Sequence, residues 1–251
     1  MMGGLSITRV VNACVLLQFG EDAVLTDPCL ETPPLLRFNE AIGMRSEALS
    51  PLAAIIGGHG VPDHWQPQSL RAVAGKESAA CLVATEGMRR SAVREGFRRA
   101  EVLAWNERRV ITPRLSIEAV PAEPAAGLKV NSYLLETCDL RVFVGAEARG
   151  IGPLVAWRRE HPAVDVALLP IDGSTLLGRR LVMRAADAIA GALVLGARVL
   201  IPIHHSLRPA PPLLHIASGL ADLPTRPVPG LHIVPLGAGQ RWSLDGVDKA
   251  A

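Results

Sequence analysis

The sequence predicts an α+β fold in which two packed sheets carry helices on their outer faces, as a single domain over residues 1–251. Strand-rich and helical segments alternate in a two-part order of strands, helix, strands and helix. No internal linker or exact repeat divides the chain. Its 251 residues, 49% of them hydrophobic, are enough for a substantial core.

The elements of the first half follow from apolar segments bounded by turn residues. Two strands are predicted over 6–19 and 22–26, with a turn at Gly20–Glu21 between them. The segment 30–50 contains Pro33–Pro34 and is predicted as a loop. A strand over 52–58 follows, and then a helix beginning near Pro67, a residue suited to a first helical turn. The remaining elements of this half are a strand over 80–85, a helix over 87–97 and strands over 100–105, 109–113 and 115–122.

The second half repeats this order of strands and helices. A hairpin is predicted around Cys138–Asp139, and the run 207–229, rich in proline, is predicted as a loop with one short helix. The other predicted elements are helices over 151–160 and 181–196 and strands over 164–171, 197–205, 231–236 and 240–244.

Bulk composition narrows the function classes. The net charge of +2 and the small number of aromatic residues argue against a nucleic-acid partner, and the basic segment "MRRSAVREGFRR" is interpreted as a solvated helix face. No apolar stretch reaches the roughly 20 residues of a membrane span, and the N-terminus does not resemble a signal peptide. Four scattered cysteines favour a reducing compartment. We therefore expect a cytoplasmic protein without a membrane partner; the oligomeric state is left open, a homo-oligomer included.

Several apolar strands end in residues that bind metals in proteins. These strand-end residues are Asp27, His59, Glu147 and His204, the last followed by His205. The pair Asp63–His64 lies in the loop after His59. Ligands bind where strand ends and loops converge, so the pattern indicates a metal site. Each residue also has a simpler interpretation: a loop histidine for His59, a helix-dipole contact for Asp63 and an exposed loop residue for Glu147.

The order of these segments resembles the metallo-β-lactamase superfamily, in particular its branch of L-ascorbate-6-phosphate-lactonase-like hydrolases. "VLTDP" resembles the T-D-P that ends the opening hairpin of this branch, and "IIGGHGVPDH" resembles the strand before the family's H-x-H-x-D-H loop. "AVPAEPAAG", "LRVFVGAE" and "RVLIPIHH" resemble the segments that carry the next histidine, a bridging Asp and the final histidine. The resemblance implies a four-layer αββα sandwich with a metal site along one edge of the two sheets.

The departures from the family pattern imply one metal rather than two. Val61 and Pro124 stand where two histidines of the first metal site belong, and Glu147 replaces the bridging Asp. The second site keeps Asp63, His64 and His204, which with Glu147 are the expected ligands of one divalent metal. Zn²⁺ is expected first, with Fe²⁺ or Mn²⁺ as alternatives.

The resemblance also implies roles for residues around the ligands. Asp63 and His59 are the catalytic candidates, with His59 free to act as a general base. Asp27 is expected to orient the metal loop through backbone N–H groups rather than to react. Asn12 replaces a histidine that relatives often carry near the site.

Three functions stay open at this point. The first is a mononuclear metal-dependent hydrolase acting on a small-molecule substrate. The second is a divergent member with iron-dependent redox or lyase chemistry, because two histidines and one carboxylate also suit non-haem iron. The third is a metal-free binding protein. Arg149, Arg179 and Arg180 are candidates for contacting an anionic substrate group, although surface solvation suits at least two of them better.

Overall fold

Two seven-stranded sheets stack face to face in the computed structural model, which describes residues 4–34, 36–124 and 127–244. The predicted domain bounds, 1 and 251, lie outside the described residues. Numbered along the chain, the strands are β1 (Leu5–Val11), β2 (Cys14–Phe19), β3 (Asp22–Thr26), β4 (Ala54–Gly57), β5 (Ala80–Val83), β6 (Arg99–Val102), β7 (Arg108–Thr112), β8 (Leu115–Pro121), β9 (Asn131–Glu136), β10 (Arg141–Val144), β11 (Val166–Pro170), β12 (Thr175–Leu176), β13 (Arg179–Arg180), β14 (Val199–Ile203), β15 (Leu214–His215), β16 (His232–Ile233) and β17 (Arg241–Leu244).

The strand order explains how the two sheets arise. The first sheet has the order β17-β1-β2-β3-β4-β5-β6, and the second has β16-β14-β11-β10-β9-β8-β7. Sequential strands pair antiparallel where a short turn joins them, whereas β3, β4, β5 and β6 run parallel because long connections return the chain to the same end. In the second sheet β10, β11 and β14 are parallel in the same way.

Four helices cover the outer faces, which completes the predicted αββα sandwich. The helices are α1 (Pro67–Ala72), α2 (Glu86–Arg94), α3 (Gly152–Arg158) and α4 (Ala185–Leu195). α1 and α2 pack on the first sheet, and α3 and α4 on the second. One apolar cluster, which includes Ile56, Leu82, Leu135 and Leu168, fills the space between the sheets. Helix starts have local causes: Pro67 opens α1, and the Thr85 hydroxyl accepts a hydrogen bond from the Met88 N–H at the start of α2.

Two local predictions were wrong, and one small sheet was not predicted. The segment 6–19 is two strands, because Asn12 has a φ of +49° and turns the chain between β1 and β2; Asn is one of the few residues that adopt this conformation readily. α4 begins at Ala185 rather than 181, because backbone bonds tie Leu181 and Met183 to Ser174, Gly173 and Ala148. The small sheet β13-β12-β15 could not be predicted, because its strands of two residues each show no alternation of apolar and polar positions.

Close contacts between the two sheets fix the edge where their loops meet. The Tyr133 hydroxyl on β9 donates to the Gly57 carbonyl on β4 at 2.9 Å. The Asn131 N–H donates to the Gly58 carbonyl at 3.0 Å. A Cβ on Gly58 would lie 2.4 Å from the Ala146 Cβ, so only glycine fits there. The loops after β3, β4, β10, β11 and β14 therefore meet at one edge.

No helix in the described part of the chain is long and apolar enough to cross a membrane.

Candidate metal centre

Three buried side chains from both sheets converge at this edge. His64 Nε2 and His204 Nε2 lie 3.1 Å apart, and each lies 3.6 Å from Asp63 Oδ2. Among the described residues, these three form the group of His, Cys, Asp and Glu side chains positioned to share a metal ion. Asp63 and His64 come from the loop after β4, and His204 directly follows β14. The sequence predicted this convergence.

Local backbone geometry aims the ligands inward. A turn in which the Val61 carbonyl accepts from the N–H groups of His64 and Trp65 brings Asp63 and His64 to the same side. His204 has a φ of +55°, which turns its side chain away from the direction of β14 and towards His64. The His204 N–H donates to the Asn12 carbonyl, so the turn between β1 and β2 supports this conformation.

A carboxylate lies beside the outer nitrogen of each histidine in the cluster. Asp172 Oδ2 is 3.0 Å from His204 Nδ1, and Asp27 Oδ1 is 3.5 Å from His64 Nδ1. Asp27 Oδ1 also accepts from the Gly58 N–H at 2.8 Å, the contact with the metal loop that the sequence predicted. These carboxylates favour a proton on Nδ1, which leaves the lone pair of Nε2 facing the centre of the cluster.

Asn12 forms a hydrogen bond with Asp63, the third residue of the cluster. Its Nδ2 donates to Asp63 Oδ2 at 3.1 Å, and the side chain is fully buried. Asn12 thus fixes the oxygen of Asp63 that faces His64 and His204.

His59 and Glu147 pair with each other beside the cluster. Glu147 Oε2 contacts His59 Nδ1, both side chains are buried, and His59 Nε2 has no hydrogen-bond partner among the described residues. The His59 ring centroid is 6.2 Å from that of His64. Burial and the neighbouring His64 lower the pKa of His59 to about 4, whereas the Asp63 carboxylate acts in the opposite direction. Glu147, expected as a ligand, is outside the cluster of three, because its side chain is one methylene longer than Asp and reaches His59.

Electrostatics at the centre fits a cation. Burial opposes protonation of His204, but Asp172 and Asp63 outweigh it and raise its pKa to about 10. Burial likewise opposes the ionised form of Asp63, yet His64 and His204 lower its pKa well below the usual range. The two carboxylates thus favour positive charge at this position.

The spacing of the donor atoms also fits a metal. Metal–nitrogen and metal–oxygen bonds of about 2.0–2.2 Å in a tetrahedral site place donor atoms roughly 3.3–3.5 Å apart. The observed separations are 3.1–3.6 Å. Asp63, His64 and His204 are thus suited to hold a divalent ion without moving.

Comparison with known proteins identifies the family. A family model described as "Beta-lactamase superfamily domain" matches residues 22–205. The chain belongs to this superfamily. No curated protein matches the sequence. The narrower likeness to the L-ascorbate-6-phosphate-lactonase-like branch stays a prediction.

Solved structures share the metallo-β-lactamase fold at low sequence identity. An isothiocyanate hydrolase from Delia radicum gut bacteria is 15% identical with a TM-score of 0.74, over 95% of this chain and 98% of that one. Igni18, a metallo hydrolase from Ignicoccus hospitalis, is 15% identical with a TM-score of 0.69, over 96% and 99%. The diiron β-hydroxylase CmlA from Streptomyces venezuelae is 16% identical with a TM-score of 0.63, over 80% of this chain and 44% of that one.

Two positions of the first metal site in the superfamily pattern are occupied by residues without a metal-binding side chain. Val61 is half-buried and offers no donor atom, and Pro124 is exposed. The Glu123 carboxylate, next to Pro124 in the chain, pairs with Arg149 at 2.9 Å. Part of the "AVPAEPAAG" segment, residues 125 and 126, lies outside the described residues.

Two further residues have structural positions. Trp65 packs against Gly57 and Met88 in the apolar cluster beneath α1 and α2. Its side chain is therefore part of the hydrophobic core rather than the lining of a pocket. Arg180 is exposed and pairs with Asp187, as expected of a solvated side chain.

Asp172 was missed by the sequence analysis. It lies two positions after β11, whereas Asp27 and His204 directly follow β3 and β14. The rule that selected those residues, a polar residue at the end of an apolar strand, applies equally to "ALLPID" and would have found it.

Proposed function

We propose that the chain is a metal-dependent hydrolase of a small-molecule substrate, with one divalent metal held by Asp63, His64 and His204. The observation that carries the proposal is the convergence of three buried acceptor atoms within 3.6 Å of one another. Two Nε2 lone pairs and a carboxylate oxygen repel each other unless a proton or a cation lies between them. A divalent cation satisfies all three at once.

The charge of the surrounding shell supports the same conclusion. Four buried carboxylates, Asp27, Asp63, Glu147 and Asp172, contact three buried histidines, His59, His64 and His204. Metal ligation requires neutral histidines, so the four carboxylates then leave four negative charges in this buried shell. Buried charge without a counter-ion is costly, and a divalent metal neutralises two of these charges.

The residues found at the first metal site of the superfamily pattern support one metal rather than two. That site keeps His59 alone of its histidines, and the carboxylate of Glu147 is directed at His59 Nδ1. Val61 and Pro124 stand where the other two histidines of that site belong, so His59 Nε2 is left to accept a proton. We therefore assign His59 as the general base and Glu147 as the carboxylate that contacts its Nδ1, in place of the bridging role expected from the sequence.

The chemistry divides between the metal and the chain. A bound divalent metal polarises the scissile group and acidifies water. Asp63, His64 and His204 hold it in a buried position, and His59 Nε2 accepts a proton during attack on the substrate. Two histidines and one carboxylate suit Zn²⁺ first, and Fe²⁺ or Mn²⁺ next.

A second candidate is non-hydrolytic iron chemistry. The same donor set, two histidines and one carboxylate, is typical of non-haem iron sites with open positions. CmlA, which shares the fold, is a diiron β-hydroxylase by name, so this fold accommodates iron redox chemistry. The identity of the metal separates the two candidates.

Metal analysis of protein purified without added metal or chelator tests the proposal. About one zinc per chain is expected, and about one iron would favour the second candidate. His64→Ala should lose metal and activity together. His59→Ala should keep the metal and lose about 10²–10⁴-fold in rate, since a positioned general base contributes that much. The exposed His215 provides the control, and His215→Ala should change neither. Wild-type protein that binds no metal in large excess would leave a metal-free binding protein as the remaining function.

A further inference from the structure

Asp172 is the most fully engaged carboxylate at the site. It is 1% exposed, and its two carboxylate oxygens have separate partners. Oδ2 contacts His204 Nδ1 at 3.0 Å, and Oδ1 accepts from the Ser174 N–H at 2.8 Å. The backbone carbonyl of Asp172 accepts from the N–H groups of Ala217 and Ser218. Both oxygens and the backbone are therefore anchored, and one anchored oxygen is directed at a metal-binding histidine.

The position of Asp172 follows from strand pairing. β11 and β14 are parallel with Pro170 opposite Ile203, and the Ile171 N–H donates to the Ile203 carbonyl. Asp172 and His204, each just past the end of its strand, are thereby held side by side. The backbone therefore holds the Asp172 carboxylate beside His204 without help from a metal.

We propose that Asp172 is the positioning residue of the metal centre: it holds the Nδ1–H of His204 and so directs the Nε2 lone pair at Asp63 Oδ2 and His64 Nε2. The inference rests on the proposed mononuclear site and adds to it a residue that touches no metal. Through Ser174, which directly precedes β12, Asp172 also connects the small sheet to the metal centre. A metal-bound histidine whose other nitrogen lacks such a partner loses ring orientation and basicity.

Asp172→Asn is the decisive variant because it keeps the shape and removes the charge. An amide oxygen at the Oδ1 position still accepts from Ser174, which preserves the local turn. The amide NH₂ then faces His204 Nδ1 and favours a proton on Nε2, the nitrogen that must bind metal. Zn²⁺ affinity, measured by competition with a chromophoric chelator, should fall about 10–100-fold. Asp22 provides the control. It is also a buried carboxylate, but it begins β3, at the end of that strand opposite Asp27, and accepts a hydrogen bond from the Thr112 hydroxyl. Asp22→Asn should leave Zn²⁺ affinity unchanged.

A second measurement needs no variant. In zinc-bound wild-type protein with ¹⁵N-labelled histidine, the His204 ring should carry its proton on Nδ1 and bind metal through Nε2. Zinc affinity of Asp172→Asn within twofold of wild type, or a His204 ring bound through Nδ1, would overturn the inference while leaving the metal site itself in place. Absence of zinc binding by the wild type would overturn the proposed function and this inference together.

Discussion

Individual residues around the metal centre adopt unusual backbone conformations. Four of the non-glycine residues with positive φ lie at this edge: Asn12 at +49°, Asp27 at +42°, Ala146 at +44° and His204 at +55°. Such conformations cost about 1–3 kcal/mol each and persist where the surrounding structure fixes them. Asn12, Asp27 and His204 each turn the chain at a strand end so that a side chain contacts the cluster, and Ala146 directly precedes Glu147.

Asn12 allows the cost of strain to be separated from the hydrogen bond to Asp63. Asn12→Gly and Asn12→Ala both remove the donor to Asp63 Oδ2, but glycine tolerates a positive φ and alanine does not. Alanine should therefore lower the free energy of unfolding by about 1 kcal/mol more than glycine, from the left-handed conformation alone. Equilibrium urea unfolding measures this difference, and zinc titration should show both variants weakened to a similar extent. Equal stabilities would contradict strain at this turn.

Asp27 is expected to orient the loop rather than to react. Asp27→Asn keeps a carbonyl oxygen for the Gly58 N–H but removes the negative charge beside His64 Nδ1. We expect a loss of at most about 1 kcal/mol in stability and a modest weakening of metal binding. Metal content by elemental analysis and stability by urea unfolding check this. Complete loss of activity with metal and fold intact would place Asp27 in contact with the substrate instead.

At the scale of elements, the loop between β3 and β4 is fastened to the sheets through Glu40. Its carboxylate contacts the buried guanidinium of Arg9 on β1 and the hydroxyl of Ser206, and accepts from the Ala238 N–H at 2.9 Å. Arg9 is fully buried, so it depends on this carboxylate for its counter-charge. The loop is thus held by one ion pair next to the segment that carries His204.

This ion pair predicts a pH dependence of stability. Burial opposes ionisation of Glu40, but hydrogen bonds from Arg9 and Ser206 outweigh it and lower its pKa from 4.5 to about 2. The unfolded chain therefore takes up the proton first as pH falls, so this stabilisation is complete above about pH 4.5 and is lost progressively towards pH 2. Glu40→Gln should be less stable than wild type at pH 7, and the gap should narrow as pH falls from 5 to 3. A gap in urea unfolding that stays constant over this range would exclude the effect.

At the scale of the whole molecule, the metal ligands join the two sheets. Asp63 and His64 belong to the first sheet's loop after β4, whereas His204 belongs to the second sheet. Under the proposed function, a metal bound by all three would crosslink the sandwich at the same edge where Gly58 and Asn131 already bring the backbones together. Metal binding would then be coupled to overall stability.

Removal of the metal should lower the melting temperature. At free zinc about 100-fold above Kd, binding stabilises the folded state by about 2.7 kcal/mol. For a chain of this size each kcal/mol shifts Tm by about 2–4 °C, so chelation should lower Tm by roughly 5–11 °C. Calorimetry with and without chelator measures the shift, and His64→Ala should show none. A wild-type Tm that is indifferent to zinc and chelator would argue against a metal that joins the sheets.

The fold class and the positions of most site residues could be predicted from the sequence. Alternating strand and helix segments predicted two sheets with helices outside, and the ends of apolar strands marked Asp27, His59 and His204. Both inferences use local information: burial of a strand is written in its own residues, and parallel strands bring their carboxyl ends to one edge. The sequence also showed that Val61 and Pro124 stand where the superfamily pattern has histidines, because this comparison requires only the identity of each residue.

The pairing of those side chains could not be predicted, because it depends on contacts between residues far apart in the chain. The contact of Asp172 with His204 spans 32 positions and that of Asn12 with Asp63 spans 51. Glu147 was expected at the metal and lies against His59. The direction of a side chain past the end of a strand depends on the turn conformation and on packing against the other sheet, and neither is set by the period of the strand. The sequence thus specified which chemistry gathers at this edge, and the packing of the two sheets decided which atom meets which.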